Sequence, residues 1–266
     1  MHQVLGHASP EVIAHMAVDD ITINRLSPTL STIKCETCST LKATEIVLRQ
    51  LEVEDQENGI PFDCTTWDMI EIDTGFNGDR YISHFQCQQF LFNLVYTYRH
   101  KLDAPYIFRK AINTIENQYH RKVRYVRLNG ETSLRNVFKM LVTDKGIKVE
   151  RTALDTPAQN GGFERSRRVL ITKSCTMRIK ANLPTNLWPE IVKAVGYTTN
   201  RTLVQKLGWK TLFKAVKKQK PRFAHMHVYR CRAYLLDHYI PRRNKLEPQV
   251  HIRYLVGYDS TNIYRI

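Results

Sequence analysis

Between Phe62 and Arg201 the hydrophobic pattern changes period in an order that few architectures accommodate. Three segments rich in aromatic and β-branched residues read as strands: "TWDMIEI" (66–72), "RYISHFQC" (80–87) and "FLFNLVYTY" (90–98). The first two are separated by "FNGD", whose Asn-Gly pair favours a hairpin turn. Helical and strand periods then take turns. A helix over about 105–119 carries Ile107, Phe108, Ala111, Ile112 and Ile115 on one face, and the strand "KVRYVRLN" (122–129) follows. Next come a helix near 134–145, the strand "IKVERT" (147–152), a long helix over about 163–181, and a last helix opened by Pro184 and Thr185. Three antiparallel strands followed by strand and helix alternation predict an α/β fold, a mixed five-stranded sheet flanked by helices.

Outside this core, 62–204, three further stretches are expected: an N-terminal unit (1–50), a linker (51–61) and a C-terminal extension (205–266). The first has helical stretches near 9–18 and 24–30 and is too short to fold on its own core without a staple. The linker contains "EVEDQENGIP", polar, acidic and closed by Gly and Pro. The extension has short aromatic-rich strands in "HVYRCRAYLL", "VHIRYLVGYD" and "NIYRI".

The chain of 266 residues has a formal charge of +15, which favours a polyanionic partner, because Lys and Arg displace counterions condensed along a phosphate backbone. The excess is uneven: residues 205–253 hold 13 Lys or Arg against Asp237 and Glu247, a net +11. Phe213, Phe223, Tyr229, Tyr234 and Tyr239 interleave with these cations, as suits a surface that meets phosphates and stacks on bases or sugars. No run of about 18 apolar residues exists, and His and Asp occupy the first twenty residues where a signal peptide needs an apolar core. A soluble intracellular protein with no membrane partner and no small-molecule substrate is therefore expected.

Of six cysteines only Cys35 and Cys38 are close, and in an intracellular chain such a CxxC is more often a metal half-site or redox pair than a structural disulfide. His2 and His7 lie five apart, with 27 residues between them and that pair. Two imidazoles and two thiolates match a closed, tetrahedral structural Zn²⁺ site, which would supply the missing staple. The alternative is two surface histidines beside a chance CxxC.

Three positions in the core suit metal-dependent chemistry on phosphodiesters: Asp68 within the first strand, Asn129 at the end of the fourth, and Glu164 opening the long helix. Such chemistry needs carboxylates from separate elements to converge on two Mg²⁺ or Mn²⁺ ions about 4 Å apart. Asp73 is the alternative first acid, disfavoured because it ends the strand rather than sitting within it. Arg165, Arg167, Arg168 and Lys173 follow Glu164, and Glu164, Arg168 and, more loosely, Lys173 share a broad helix face that could line the approach of DNA. Gln159 and Asn160, placed in the loop before the helix, could bind DNA or cap the turn.

These blocks carry a family resemblance. "HQVLGHASPE" with "CETC", "PFDCTTWDMI", "VRLNGE" and "TPAQNGGFERSRR" resemble in order the zinc-binding head and the three catalytic blocks of the integrase of a copia-type LTR retrotransposon. "LPTNLWPEIVKAVGYTTNRT" and the segment from Tyr229 resemble that family's last core helix and tail. The separation of 35 residues between positions 129 and 164 agrees. The resemblance implies a ribonuclease H-like core that carries out 3′-end processing and strand transfer. His2, His7, Cys35 and Cys38 would hold zinc, and Asp68 and Glu164 would hold Mg²⁺. It also implies a nuclear, multimeric protein acting on DNA ends and target DNA, with RNA as an alternative polyanion.

The sequence departs from that pattern at one chemically decisive point: Asn129 stands where the second acid is expected. An amide oxygen can ligate a metal but brings no charge to offset the repulsion between adjacent dications, so impaired catalysis is expected. Glu131 could replace it only through a backbone shift past Gly130. Met1 in place of a tryptophan, Leu203 in place of a proline and the end at "YRI" fit a partial, degenerate copy. The competing expectations are a non-catalytic zinc-containing nucleic-acid-binding protein and, third, a ribonuclease H-like nuclease of another family.

Overall fold

The computed structural model describes residues 3–5, 8–18, 35–37, 59–128, 136–151, 157–236 and 250–266, with 157–163 described by their backbone alone. The second helix expected near 24–30 and most of the expected linker lie outside them.

Its central sheet has β1 (Cys64–Glu71), β2 (Tyr81–Cys87), β3 (Asn93–Tyr98), β4 (Tyr125–Leu128) and β5 (Lys148–Arg151) in the order β3-β2-β1-β4-β5. β1, β2 and β3 pair antiparallel, whereas β1, β4 and β5 run parallel, so the expected mixed sheet is present. Gly78, with φ +85°, supplies the left-handed residue of the β1–β2 turn. α2 (Ala104–Tyr119) and α3 (Asn136–Asp144) follow β3 and β4. The long helix, α4 (Pro157–Lys180), starts six residues earlier than the sequence pattern suggests. Proline suits a first helical turn, where its missing N–H would have no intrahelical partner. Gln159 and Asn160 therefore belong to the helix and not to a loop before it. α5 (Trp188–Thr199) completes the core.

β1 is the central strand and is covered on both faces. Trp67 is 2% exposed, is aligned with Phe85 of β2 and Leu128 of β4, and stacks on Phe85 at 5.5 Å between ring centroids. Phe108 of α2 and Phe138 of α3 close over the same indole at 4.9 and 5.4 Å, and its Nε1–H donates to Ser83 Oγ at 3.1 Å. This is the first layer. On the other face Ile70 and Ile82 pack with Leu170 and Met177 of α4 and with Ile191, Val192 and Val195 of α5. Gly196 permits that approach: a Cβ there would lie 2.8 Å from Val95 Cγ2 on β3.

The chain beyond α5 continues through β6 (Leu203–Val204), β7 (Lys210–Thr211), α6 (Leu212–Lys217), β8 (Arg232–Leu236), β9 (Val250–Tyr254), β10 (Gly257–Tyr258) and β11 (Tyr264–Arg265). It adds to the core. Leu212, Ala215 and Val216 join the first layer, and Tyr229, Leu255 and Tyr258 join the second. Glu190, 2% exposed on α5, pairs with the Arg265 guanidinium, and the Tyr258 hydroxyl bridges the backbone N–H and C=O of His227. Leu5 and, from α1 (Pro10–Val18), Ile13 and Met16 pack with Leu203 and Met226, while the His15 ring stacks on Trp209 at 3.7 Å.

Truncating Trp67 removes the indole that three other aromatic rings enclose. Trp67→Ala is expected to destabilise the protein by about 3–5 kcal/mol, read from the midpoint of urea unfolding. A loss below about 1 kcal/mol would mean that the first layer does not depend on this ring.

Candidate active site on the second face of the sheet

Strand alternation decides what accompanies Asp68. Since Trp67 points into the first layer, Asp68 belongs with Ile70 on the opposite face, the one covered by α4 and α5. Its Cα partner on β2 is His84, and directly opposed residues of an antiparallel pair share a face. In the parallel half, Thr66 is aligned with Arg127, which is aligned with Glu150. Arg127 Nε donates to Glu150 Oε2 at 2.6 Å, a pair with side chains 37% and 42% exposed. The second face thus carries Asp68 in β1 and an ion pair across β4 and β5, with Cys64 beside that pair. Burial pushes the Cys64 thiol up to about 11, against the opposing pull of Arg127, so this cysteine is a protonated thiol and no nucleophile.

α4 brings the second carboxylate to this side of the sheet. Its buried residues Leu170 and Met177 share one apolar cluster with Ile70. Glu164 lies six residues before Leu170, about 9 Å along the axis, and is exposed together with Arg165, Arg167 and Arg168. Lys173 behaves differently. Nine residues on from Glu164 is about half a turn round the helix, and its ammonium donates to Thr199 Oγ1 on α5 at 3.2 Å. It braces the two helices, and the face shared by Glu164 and Arg168 excludes it.

Asp73 is exposed in the loop after β1, and its carbonyl accepts the Trp188 Nε1–H at 2.7 Å. Asn129 and Glu131 lie outside the described residues. Leu128, the last described residue of β4, is aligned with Trp67, the residue before Asp68. His2, His7 and Cys38 also lie outside, while Cys35 is half-buried. Among the described residues no group of three or more His, Cys, Asp or Glu could hold a metal ion, and no helix is long and apolar enough to cross a membrane.

One feature beside Asp68 escapes sequence reasoning. His84 is 3% exposed, and its Nε2 lies 2.7 Å from Asn93 Oδ1. The Asn93 N–H donates to Asn200 Oδ1 at 2.8 Å, and Asn200 Nδ2 donates back to the Asn93 carbonyl at 2.7 Å. This buried chain fixes the end of α5 to the β3 edge of the sheet. Its only sequence signal is a set of polar residues, His84, Gln86 and Asn93, within two strands, of which β2 is buried along most of its length. Burial holds the His84 imidazole below its ordinary range and therefore neutral.

No protein-family model matches the chain. It is similar to the retrovirus-related Pol polyprotein from transposon TNT 1-94 of Nicotiana tabacum, 28% identical over 65% of this chain and 13% of that protein. Similarity to the retrovirus-related Pol polyproteins from transposons RE2 and RE1 of Arabidopsis thaliana runs at 23% and 22% identity. These matches cover 98% and 88% of this chain and 18% and 16% of those proteins. The chain therefore spans less than a fifth of the length of these relatives, and it is itself related to transposon-encoded Pol polyproteins.

A neutral buried imidazole couples stability to pH with a definite sign. His84 binds its proton less readily folded than unfolded, so its contribution is complete above the unfolded value near 6.5 and is lost as pH falls. Unfolding midpoints in urea at about pH 7.5 and about pH 5.5 should show a smaller acid-side loss for His84→Gln than for the unaltered chain. Equal losses in the two would refute a buried neutral His84.

Proposed function

We propose that this chain is the integrase portion of a copia-type retrotransposon Pol polyprotein, its ancestral chemistry being metal-dependent DNA 3′-end processing and strand transfer. The observation that carries the reading is the placement of Asp68 on the central strand of a β3-β2-β1-β4-β5 sheet, with the Glu164-bearing helix packed over that same face. Similarity to transposon Pol polyproteins along nearly the whole chain supports it. Asp68 and Glu164 would hold Mg²⁺ or Mn²⁺, and His2, His7, Cys35 and Cys38 would hold a structural Zn²⁺. When bound, the dications would activate water or a 3′-hydroxyl and offset charge at the attacked phosphorus.

The chain's own residues divide the remaining work. Asp68 stands on a strand whose other face is locked by Trp67, so its carboxylate is carried on a packed central strand. Arg165 and Arg168, exposed next to Glu164, would contact phosphates of a DNA end, with Gln159 and Asn160 at the start of the same helix. Lys173 holds α4 against α5 and so fixes the helix from which Glu164 acts. The Arg127–Glu150 pair presents a compensated charge beside Asp68.

Asn129 in place of the second acid makes this copy impaired. The same residue and the basic C-terminal extension favour a second reading, a protein that retains the fold and binds nucleic acid without catalysis. A strand-transfer assay in Mg²⁺ and Mn²⁺ separates the two. Joining by Asn129→Asp but not by the unaltered chain supports an integrase silenced at one ligand. Activity in the unaltered chain refutes the impairment, and inactivity of both favours the binding protein. For the N-terminal unit, one zinc per chain is expected by elemental analysis, lost in the Cys35→Ser, Cys38→Ser double variant; a metal-free, folded protein would exclude the zinc site.

A further inference from the structure

We infer a second nucleic-acid-binding surface, on the α2 side of the sheet, opposite the face that carries Asp68. It extends the nucleic-acid reading above and rests on it only for the class of ligand. α2 buries Ile107, Phe108, Ala111, Ile112 and Ile115 in the first layer. Its outer stripe, Tyr106, Arg109, Lys110, Asn113, Asn117 and Gln118, lines a hollow of about 260 Å³. These positions recur every three or four residues, so they form one continuous row about 18 Å long. At 3.4 Å per phosphate of one strand, that row matches about five base pairs.

Charge identifies the occupant. The row contains two cations and no carboxylate. The acid of α2, Glu116, follows Arg109 by two turns at the edge of this row and is neutralised there by Lys145 at 2.7 Å. α6 extends the positive surface: it buries Leu212, Ala215 and Val216 in the same layer and presents Lys217 at the C-terminal end of α2. There the Lys217 ammonium donates to the Gln118 carbonyl at 3.1 Å and lies 4.4 Å from the Tyr119 ring centroid. Lys218 follows, 5.9 Å from the Phe90 ring. Residues 205–222 carry seven Lys or Arg and no Asp or Glu. Among the described residues Arg109, Lys110, Lys217 and Lys218 have no carboxylate partner.

Neighbouring cations without counter-charges repel one another, and a phosphate backbone relieves that repulsion. The asparagine and glutamine amides between them can donate to phosphate or sugar oxygens without reading sequence. Because β1 separates this surface from Asp68, a duplex lying on it is a different segment from one whose end reaches Asp68. The protein thus has surfaces for two nucleic-acid segments, one on each side of the sheet.

The test uses the full chain and a short labelled duplex DNA, with binding read by fluorescence anisotropy over a range of salt. The quadruple variant Arg109→Gln, Lys110→Gln, Lys217→Gln, Lys218→Gln should bind at least about tenfold more weakly at low salt. Its slope of log affinity against log salt should be shallower by about one for each cation that contacts phosphate. Since Lys217 also packs on Tyr119, a footprint on the unaltered chain accompanies the variant: DNA should protect Lys110, Lys217 and Lys218 from acetylation. Unchanged affinity and slope, or DNA that binds while leaving these three lysines unprotected, would overturn the second surface alone. Absence of any DNA binding would overturn it together with the nucleic-acid reading, whereas the strand-transfer comparison at position 129 tests the catalytic reading separately.

Discussion

The structure depends on the two-residue period of β1. Trp67 and Asp68 are consecutive, so they must face opposite sides, and the side of one dictates the side of the other. Trp67 is claimed by Phe85, Phe108 and Phe138. A one-residue slip of β1 would take the indole away from those rings and bury the carboxylate among them, at a cost of several kcal/mol for an unpaired buried charge. The aromatic first layer thereby fixes the acid on the α4 side without touching it.

The segment after α5 belongs to the same account. Leu212 and Val216 complete the first layer, and Tyr229 and Tyr258 complete the second. The contacts of Glu190 with Arg265 and of Tyr197 with Tyr258 tie its final strands back to α5. The basic residues of α6 are consequently held at defined places on the core. Lys217 at the end of α2 is the clearest case, since its position is set by Leu212, Ala215 and Val216 beneath it.

Much of the fold is legible in the sequence because it is written in local periods. The aromatic and β-branched segments of the first three strands, the Asn-Gly turn and the apolar face of α2 each need only a few neighbouring residues to be recognised, and each is present. The start of α4 was obscured by Gly161 and Gly162, which read as a loop, although Pro157 suits a first helical turn. A broad helix face shared by Glu164, Arg168 and Lys173 is too generous a reading of the helical spacing, since the nine residues from Glu164 turn Lys173 towards Thr199. The His84–Asn93–Asn200 chain joins residues 107 apart, and no local pattern reports such a contact. Of the candidate site, the placement of Asp68 follows from strand alternation alone. The side of the sheet taken by Glu164 required the packing of Leu170 with Ile70.

Convergence of Asp68 and Glu164 on one metal-binding locus is the central claim, and it can be measured without turnover. In the Asn129→Asp variant, paramagnetic Mn²⁺ titrated into ¹⁵N-labelled protein should broaden the backbone amide signals of Trp67, Asp68 and Met69 together with those of Glu164 and Arg165, at the same metal concentration. Broadening confined to one of the two segments, or spread over neither, would contradict a shared site.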